Sequence, residues 1–219
     1  MTSTSIVLAN TSNMHLGLSD GKSLFSNVRI KAALDFCGSI GNVVIALNHE
    51  ARIAEFAYGK PSNCHLKFLP GTEGALATLG MVMDLIPDTG NIIVVPTNAS
   101  ISEGVEEFIE FMTEARADVG MAVIESNSEE LSYIREVDGK VLEIHEKEVV
   151  GNLACAGVYF FSSKQLLLEC IHWTLLNDVR KNGLLYIAPA MNYCITRGMR
   201  VIPFPIKPEG YSRSFEQNG

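Results

Sequence analysis

The chain has 219 residues, of which 47% are hydrophobic and 19% charged. That balance excludes a disordered chain and is enough to build a sizeable core. A formal net charge of −8 repels phosphate backbones and anionic lipid, so neither nucleic acid nor a membrane is an expected partner. A local basic pocket for a small phosphate remains compatible with it. No apolar run approaches the roughly 18 residues of a bilayer span, and residues 1–10 (MTSTSIVLAN) lack the basic segment of a secretory signal. The five cysteines, Cys37, Cys64, Cys155, Cys170 and Cys194, are odd in number, widely spaced and contain no Cys-x-x-Cys pair. The expectation is buried, reduced thiols in a cytoplasmic protein, not a disulfide framework or a zinc site.

Strand and helix patterns alternate along the chain. Residues 5–9 (SIVLA) read as a short buried strand, followed by a polar loop over residues 10–22. Residues 28–36 read as a helix with Ile30, Ala33 and Leu34 on one face. Residues 42–47 (NVVIAL) and 64–69 read as strands two and three. The spacing of Leu76, Leu79, Met83 and Ile86 predicts a helix over residues 72–86, with Pro87 just beyond. Residues 91–95 form a continuous apolar strand of the kind buried on both faces. Ser102 is the expected N-cap of the next helix, with Glu103, Glu106 and Glu107 at its positive end. Residues 119–125 give another strand. Asp138-Gly139, between two strand-like runs in residues 131–144, is a strong hairpin signal. A long strand over residues 154–161, helices near 164–171 and 185–196, and a last strand over 200–204 complete the reading.

The repeated strand–helix order predicts an α/β protein, a three-layer α/β/α sandwich with a mostly parallel sheet made mixed by the hairpin. No linker or internal repeat is visible, so residues 1–219 read as one domain. Ligands in such sheets sit outside the carboxyl ends of the strands. That places interest on the loops after Ala9, Leu69 and Val95.

Several segments, in order over some 200 residues, make the chain resemble the sugar-1-phosphate nucleotidyltransferases, a family with a GT-A-like fold. Residues 5–9, the polar loop and Lys22-Ser23-Leu24 are similar to the family's opening strand, Gly-rich loop and Pro-Lys-x-Leu. Gly71-Thr72-Glu73-Gly74-Ala75 resembles its Gly-Thr-x-x-Ala turn. Residues 92–98 fall where the family has an apolar strand ending in Gly-Asp. The hairpin and Glu146-Lys147 resemble its strand ending in Glu-Lys-Pro. Residues 152–159 are similar to its Asn-x-Gly-x-Tyr strand. The resemblance implies a reaction in which a sugar 1-phosphate attacks a nucleoside triphosphate, giving a nucleotide-sugar and pyrophosphate, with Mg²⁺ as cofactor if the chain is active and no cofactor otherwise.

The chain departs from the family at the groups that carry the chemistry. The family's first loop, Ala-Ala-Gly-x-Gly-Thr-Arg, is here Ala9, Asn10, Thr11, Ser12, Asn13, Met14, His15. Both glycines are gone, and His15 stands at the arginine position, where it cannot form a bidentate fork on a phosphate. The metal-binding Gly-Asp is Thr97-Asn98, and a neutral amide is a poorer ligand for a hard cation. The family's late Asp falls near Ser214, with Glu216 close by.

On this resemblance the catalytic candidates are Lys22 and His15. The substrate-binding candidates are Ala9, Asn10, Gly71, Thr72, Ala75, Asn98, Lys147, Asn152 and Gly157, and Asn98 is also a weak metal-ligand candidate. Four of them have a plainer explanation. Lys22 is equally a solvated loop lysine, and Thr72 an N-cap after the Pro70-Gly71 turn. Lys147 belongs to a charged strand end, and Asn98 suits an Asx-turn. His49, His65 and His172 show no ligand spacing.

The expected partners are nucleotide and sugar-phosphate small molecules, and the oligomeric state is open, with a homo-oligomer among the options. Three functions fit the resemblance: an active nucleotidyltransferase, a catalytically impaired nucleotide- or sugar-phosphate-binding or regulatory module, and a GT-A glycosyltransferase. The missing Asp-x-Asp metal motif weighs against the last.

Overall fold

The computed structural model describes residues 3–9, 28–38, 40–48, 62–101 and 104–212. Its centre is one sheet. Strands β1 (Ser3–Ala9), β2 (Asn42–Asn48), β3 (Cys64–Leu69) and β4 (Asn91–Pro96) run parallel, with β1 between β2 and β4. After β5 (Ser100–Ile101) come β6 (Val119–Glu125), the hairpin β7 (Ser132–Val137) and β8 (Lys140–Glu146), then β9 (Leu153–Phe161), β10 (Val201–Pro205) and β11 (Tyr211–Ser212). The sheet order is β10-β6-β9-β4-β1-β2-β3. Strand β9 is antiparallel to both neighbours, and the hairpin attaches to it through β7. The short β5 and β11 pair with each other.

The central strands carry side chains apolar on both faces, and both faces are covered. On one face, α1 (Val28–Cys37) and α3 (Val105–Glu114) bury Ile30, Ala33, Phe108 and Met112 against Val7, Ile45 and Val95. On the other, α2 (Ala75–Met81), α4 (Lys164–Leu176), α5 (Ile187–Ala190) and α6 (Asn192–Thr196) bury Leu76, Leu79, Leu167 and Cys194 against Ile6, Val44 and Val94. Three layers result, with a mostly parallel mixed sheet in the middle, as the alternation predicts. The five cysteines are buried and unpaired as disulfides. No described helix is long and apolar enough to cross a membrane.

Helix boundaries differ from the sequence reading in informative ways. The helix expected over residues 72–86 is only α2, followed by a 3-10 turn at Met83–Leu85. Gly74, at φ 108° and ψ 175°, is its N-cap and has no side-chain cap. Thr72 is therefore not the cap, and its hydroxyl instead shares a 2.7 Å hydrogen bond with the Thr78 hydroxyl. The Leu76 N–H donates to the Leu185 carbonyl at 3.1 Å, so a distant segment does what a capping side chain would have done. The helix read over residues 185–196 is split into α5 and α6. Asn192, opening α6, is used sideways: its amide donates to the Ile144 carbonyl at 2.8 Å and its oxygen accepts from the Ile144 N–H at 2.9 Å, tying α6 to β8. Helix α4 runs on past Ile171, capped by the Ser163 hydroxyl accepting from the Leu166 N–H. The expected cap Ser102 lies outside the described residues, and Gly104 precedes α3.

Candidate functional site

A cavity of about 350 Å³ lies at the carboxyl ends of β1 and β4, within the size range of small-ligand sites. Leu8 and residues 96–99 form one wall. The turn before α2, through Thr72, Gly74, Ala75 and Thr78, forms another. Glu130–Ser132, Glu146 and Lys147 come from the hairpin, Cys155–Gly157 and Tyr159 from β9, and Leu184, Tyr186, Ile187 and Tyr211 close the rim.

Local structure explains why these groups converge. The Thr97 hydroxyl donates to the Leu8 carbonyl at 2.9 Å, pinning the ends of β1 and β4 together. Strand β9 carries two extra residues against β6, between the Met121–Tyr159 and Val123–Cys155 pairs. Such a bulge bends a strand and re-aims its side chains. Gly157 sits within it at φ 89°, and a Cβ there would lie 3.2 Å from Pro96. A residue without a side chain is what lets β9 pass that close to the end of β4. Gly74 plays the same part on the opposite wall. A Cβ on it would lie 2.4 Å from the Leu185 carbonyl oxygen, and the Leu185 N–H donates to the Glu73 carbonyl at 2.7 Å. The turn and the 184–187 segment are thus clamped backbone to backbone.

The charges in the lining are few. Lys147 has φ 51°, and its ammonium lies 3.5 Å from the Glu130 carboxylate. Glu146 is only 8% exposed. Its carboxylate accepts a hydrogen bond from the Ser132 hydroxyl and has no cation among its described contacts. Burial raises its pKa above the ordinary carboxylate range, only partly offset by Ser132 and the more distant Lys147 and Lys181. Lys181 is not in the lining, and its ammonium lies 3.9 Å from Glu148. Burial likewise pushes the Cys155 thiol and the Tyr159 phenol well above their usual values, so both are neutral donors at physiological pH.

The residues singled out from the sequence divide three ways. Thr72, Ala75, Asn98, Lys147 and Gly157 come together in the lining from four separate stretches of chain. Gly71 and Asn152 are exposed and outside it. The Asn152 carbonyl accepts from Ser126 at the end of the β6–β9 ladder. Ala9 is buried among the side chains packed with α1 and α3, while Leu8 meets the cavity, because successive strand residues face opposite ways. Asn10, His15 and Lys22, with Ser214 and Glu216, lie outside the described residues. Sequence reasoning marked neither Ser132 nor Tyr186, and read Cys155 only as a buried thiol and Tyr159 only as part of the Asn-x-Gly-x-Tyr strand, not as site residues. Glu146 was visible only as half of a Glu-Lys pair, since its burial depends on the hairpin folding onto β9.

No protein-family model matches the chain, and no curated protein does. Solved structures do. A nucleoside-diphosphate-sugar pyrophosphorylase from Vibrio cholerae superposes with a TM-score of 0.74 over 95% of this chain and 93% of its own, at 16% identity. A protein described as a glucose-1-phosphate thymidylyltransferase from Bacillus anthracis, solved in complex with sucrose, gives 0.68 over 94% and 87%, also at 16% identity. The chain has the nucleotidyltransferase fold. Within that fold, the cavity occupies the strand-end position where ligands of open α/β sheets bind. The described residues of this cavity do not fit a Mg²⁺ ion. The end of β4 offers the exposed amide Asn98 and a Thr97 hydroxyl already donating to Leu8, while Glu146 is held by Ser132 and Glu130 faces Lys147. Among the described residues no three His, Cys, Asp or Glu side chains are grouped together, and the one polar side chain that the end of β4 turns to this wall without a bond to β1 is a neutral amide, a poor ligand for a hard cation.

Proposed function

We propose that the chain binds a nucleotide or a sugar phosphate in this cavity and converts it slowly or not at all. The observation that carries the reading is the lining itself: a strand-end cavity whose described charged groups are Lys147, Glu130 and Glu146 among neutral hydrogen-bonding groups, with the Asn98 amide where the resemblance implies a carboxylate. Transfer of a phosphoryl group depends on charge neutralisation around a loose transition state. Removing a single preorganised stabilising group costs about 10²–10³ in rate. An Asn98 amide and a His15 imidazole at the expected carboxylate and arginine positions each remove one. Binding is less affected, because Lys147 and the neutral donors act without a metal.

The test is a calorimetric screen of nucleoside triphosphates and hexose 1-phosphates, with and without Mg²⁺, run beside a pyrophosphate-release assay. Binding of at least one of these ligands without measurable pyrophosphate release is the expected result. Robust release from the wild-type chain overturns the impaired reading in favour of an active nucleotidyltransferase. No binding in any arm overturns the site.

A further inference from the structure

The charges of the cavity are not those of a simple phosphate site. The charged side chains of its described lining are Glu130, Glu146 and Lys147, two carboxylates against one ammonium. Glu130 and Lys147 already face each other at 3.5 Å. What remains is Glu146, a lining residue more than nine-tenths buried and held by one neutral donor, the Ser132 hydroxyl, itself 8% exposed. A buried carboxylate without a cation is costly, and proteins keep such groups paired or use them. The other polar side chains around it are neutral: Thr72, Thr78 and the Tyr159, Tyr186 and Tyr211 phenols.

We infer that Glu146 is the counter-ion for a positively charged group on the ligand, so that the cavity selects an amine-bearing compound, such as an amino-sugar phosphate, over its neutral hydroxyl analogue. The inference rests on the reading of the cavity as a sugar-phosphate site and adds the ligand class. Ser132 acts as a positioning residue. By occupying one carboxylate oxygen it fixes the group and leaves the other oxygen to face the ligand. Recognition of this kind discriminates well, because a ligand lacking the ammonium leaves the buried carboxylate uncompensated.

The experiment measures the affinity of the full chain for three probes by calorimetry: glucosamine 1-phosphate, glucose 1-phosphate and glucosamine. Wild type is compared with Glu146→Gln, which preserves shape, and each variant's fold is checked by circular dichroism. The expected result is about tenfold tighter binding of glucosamine 1-phosphate than of glucose 1-phosphate at neutral pH. Glu146→Gln removes that difference and leaves glucose 1-phosphate within about threefold of wild type. Ser132→Ala reduces the preference while still binding both phosphates. Equal affinities for the two phosphates in wild type, or a preference that survives Glu146→Gln, overturn the inference while leaving the sugar-phosphate site intact. Glucosamine bound through Glu146, with neither phosphate bound, keeps the counter-ion and overturns the phosphate reading. No binding of any probe overturns both.

Discussion

Glu146 carries a price in stability that its ligand would remove. Its folded-state pKa is raised by burial above the roughly 4.3 of an unfolded glutamate. Below the unfolded value both states are protonated and the group is neutral towards folding. As pH climbs through the interval between the two values, the folded chain retains the proton longer, so stability falls, and the loss is complete above the folded value. Glu146→Gln should therefore raise Tm at pH 7.5 and change it little at pH 4, as read by thermal unfolding across that range. A substitution equally destabilising at both pH values would show that the Ser132 hydrogen bond outweighs desolvation. Lys147 has the opposite role, as the cation of the described lining. Lys147→Ala should weaken hexose 1-phosphate binding about tenfold or more, since a hydrogen bond to a charged group is worth about 1.5–3 kcal/mol. Calorimetry against the same ligand provides the check, and unchanged affinity would remove Lys147 from the site.

At the scale of elements, the cavity walls depend on two glycines that allow close backbone approach. Gly157 sits at φ 89° in the β9 bulge, against Pro96 at the end of β4. Gly157→Ala should cost about 1–3 kcal/mol, from backbone strain alone. Gly74 is tighter, since an added Cβ meets backbone of the 184–187 segment and not a movable side chain. Gly74→Ala combines strain with overpacking and should cost about 2–5 kcal/mol. It should also weaken ligand binding, because the turn and the rim part together. Denaturant unfolding of the two variants gives the order, and a Gly74→Ala chain as stable as wild type would contradict the clamp. The short α2 belongs to the same device. With its Leu76 N–H bonded to the Leu185 carbonyl, it is held by a partner over a hundred residues away.

At the scale of the whole molecule, the sheet brings β1, β4, the hairpin and β9 to one mouth, and the function proposed for it turns on the amide at position 98. On the proposed reading, adding one carboxylate does not make a metal site. Asn98→Asp should yield no substantial pyrophosphate release with Mg²⁺ and hexose 1-phosphates, because the first loop still lacks its glycines and arginine. Strong turnover by that variant, in the same release assay, would place the whole deficit at residue 98.

The sequence by itself determined the layering. Runs such as residues 42–47 and 91–95, apolar on both faces, can be stable only inside a covered parallel sheet, and the Asp138-Gly139 turn fixes a hairpin wherever it lies. Thr72, Ala75, Asn98, Lys147 and Gly157, picked out from the sequence, line one cavity. Tertiary structure decided the rest. Helix α2 begins at Ala75, where the Leu185 carbonyl takes the Leu76 N–H, and the 185–196 segment is two short helices, the second tied to β8 through Asn192. Glu146 reads as one acid in the charged string His145–Glu148, and only the packing of the hairpin on β9 makes it a buried carboxylate beside Ser132. Periodicity reports which face of an element is apolar. Burial of a polar group, and the partner it lacks, are set by contacts between residues far apart in the chain, which no local pattern encodes.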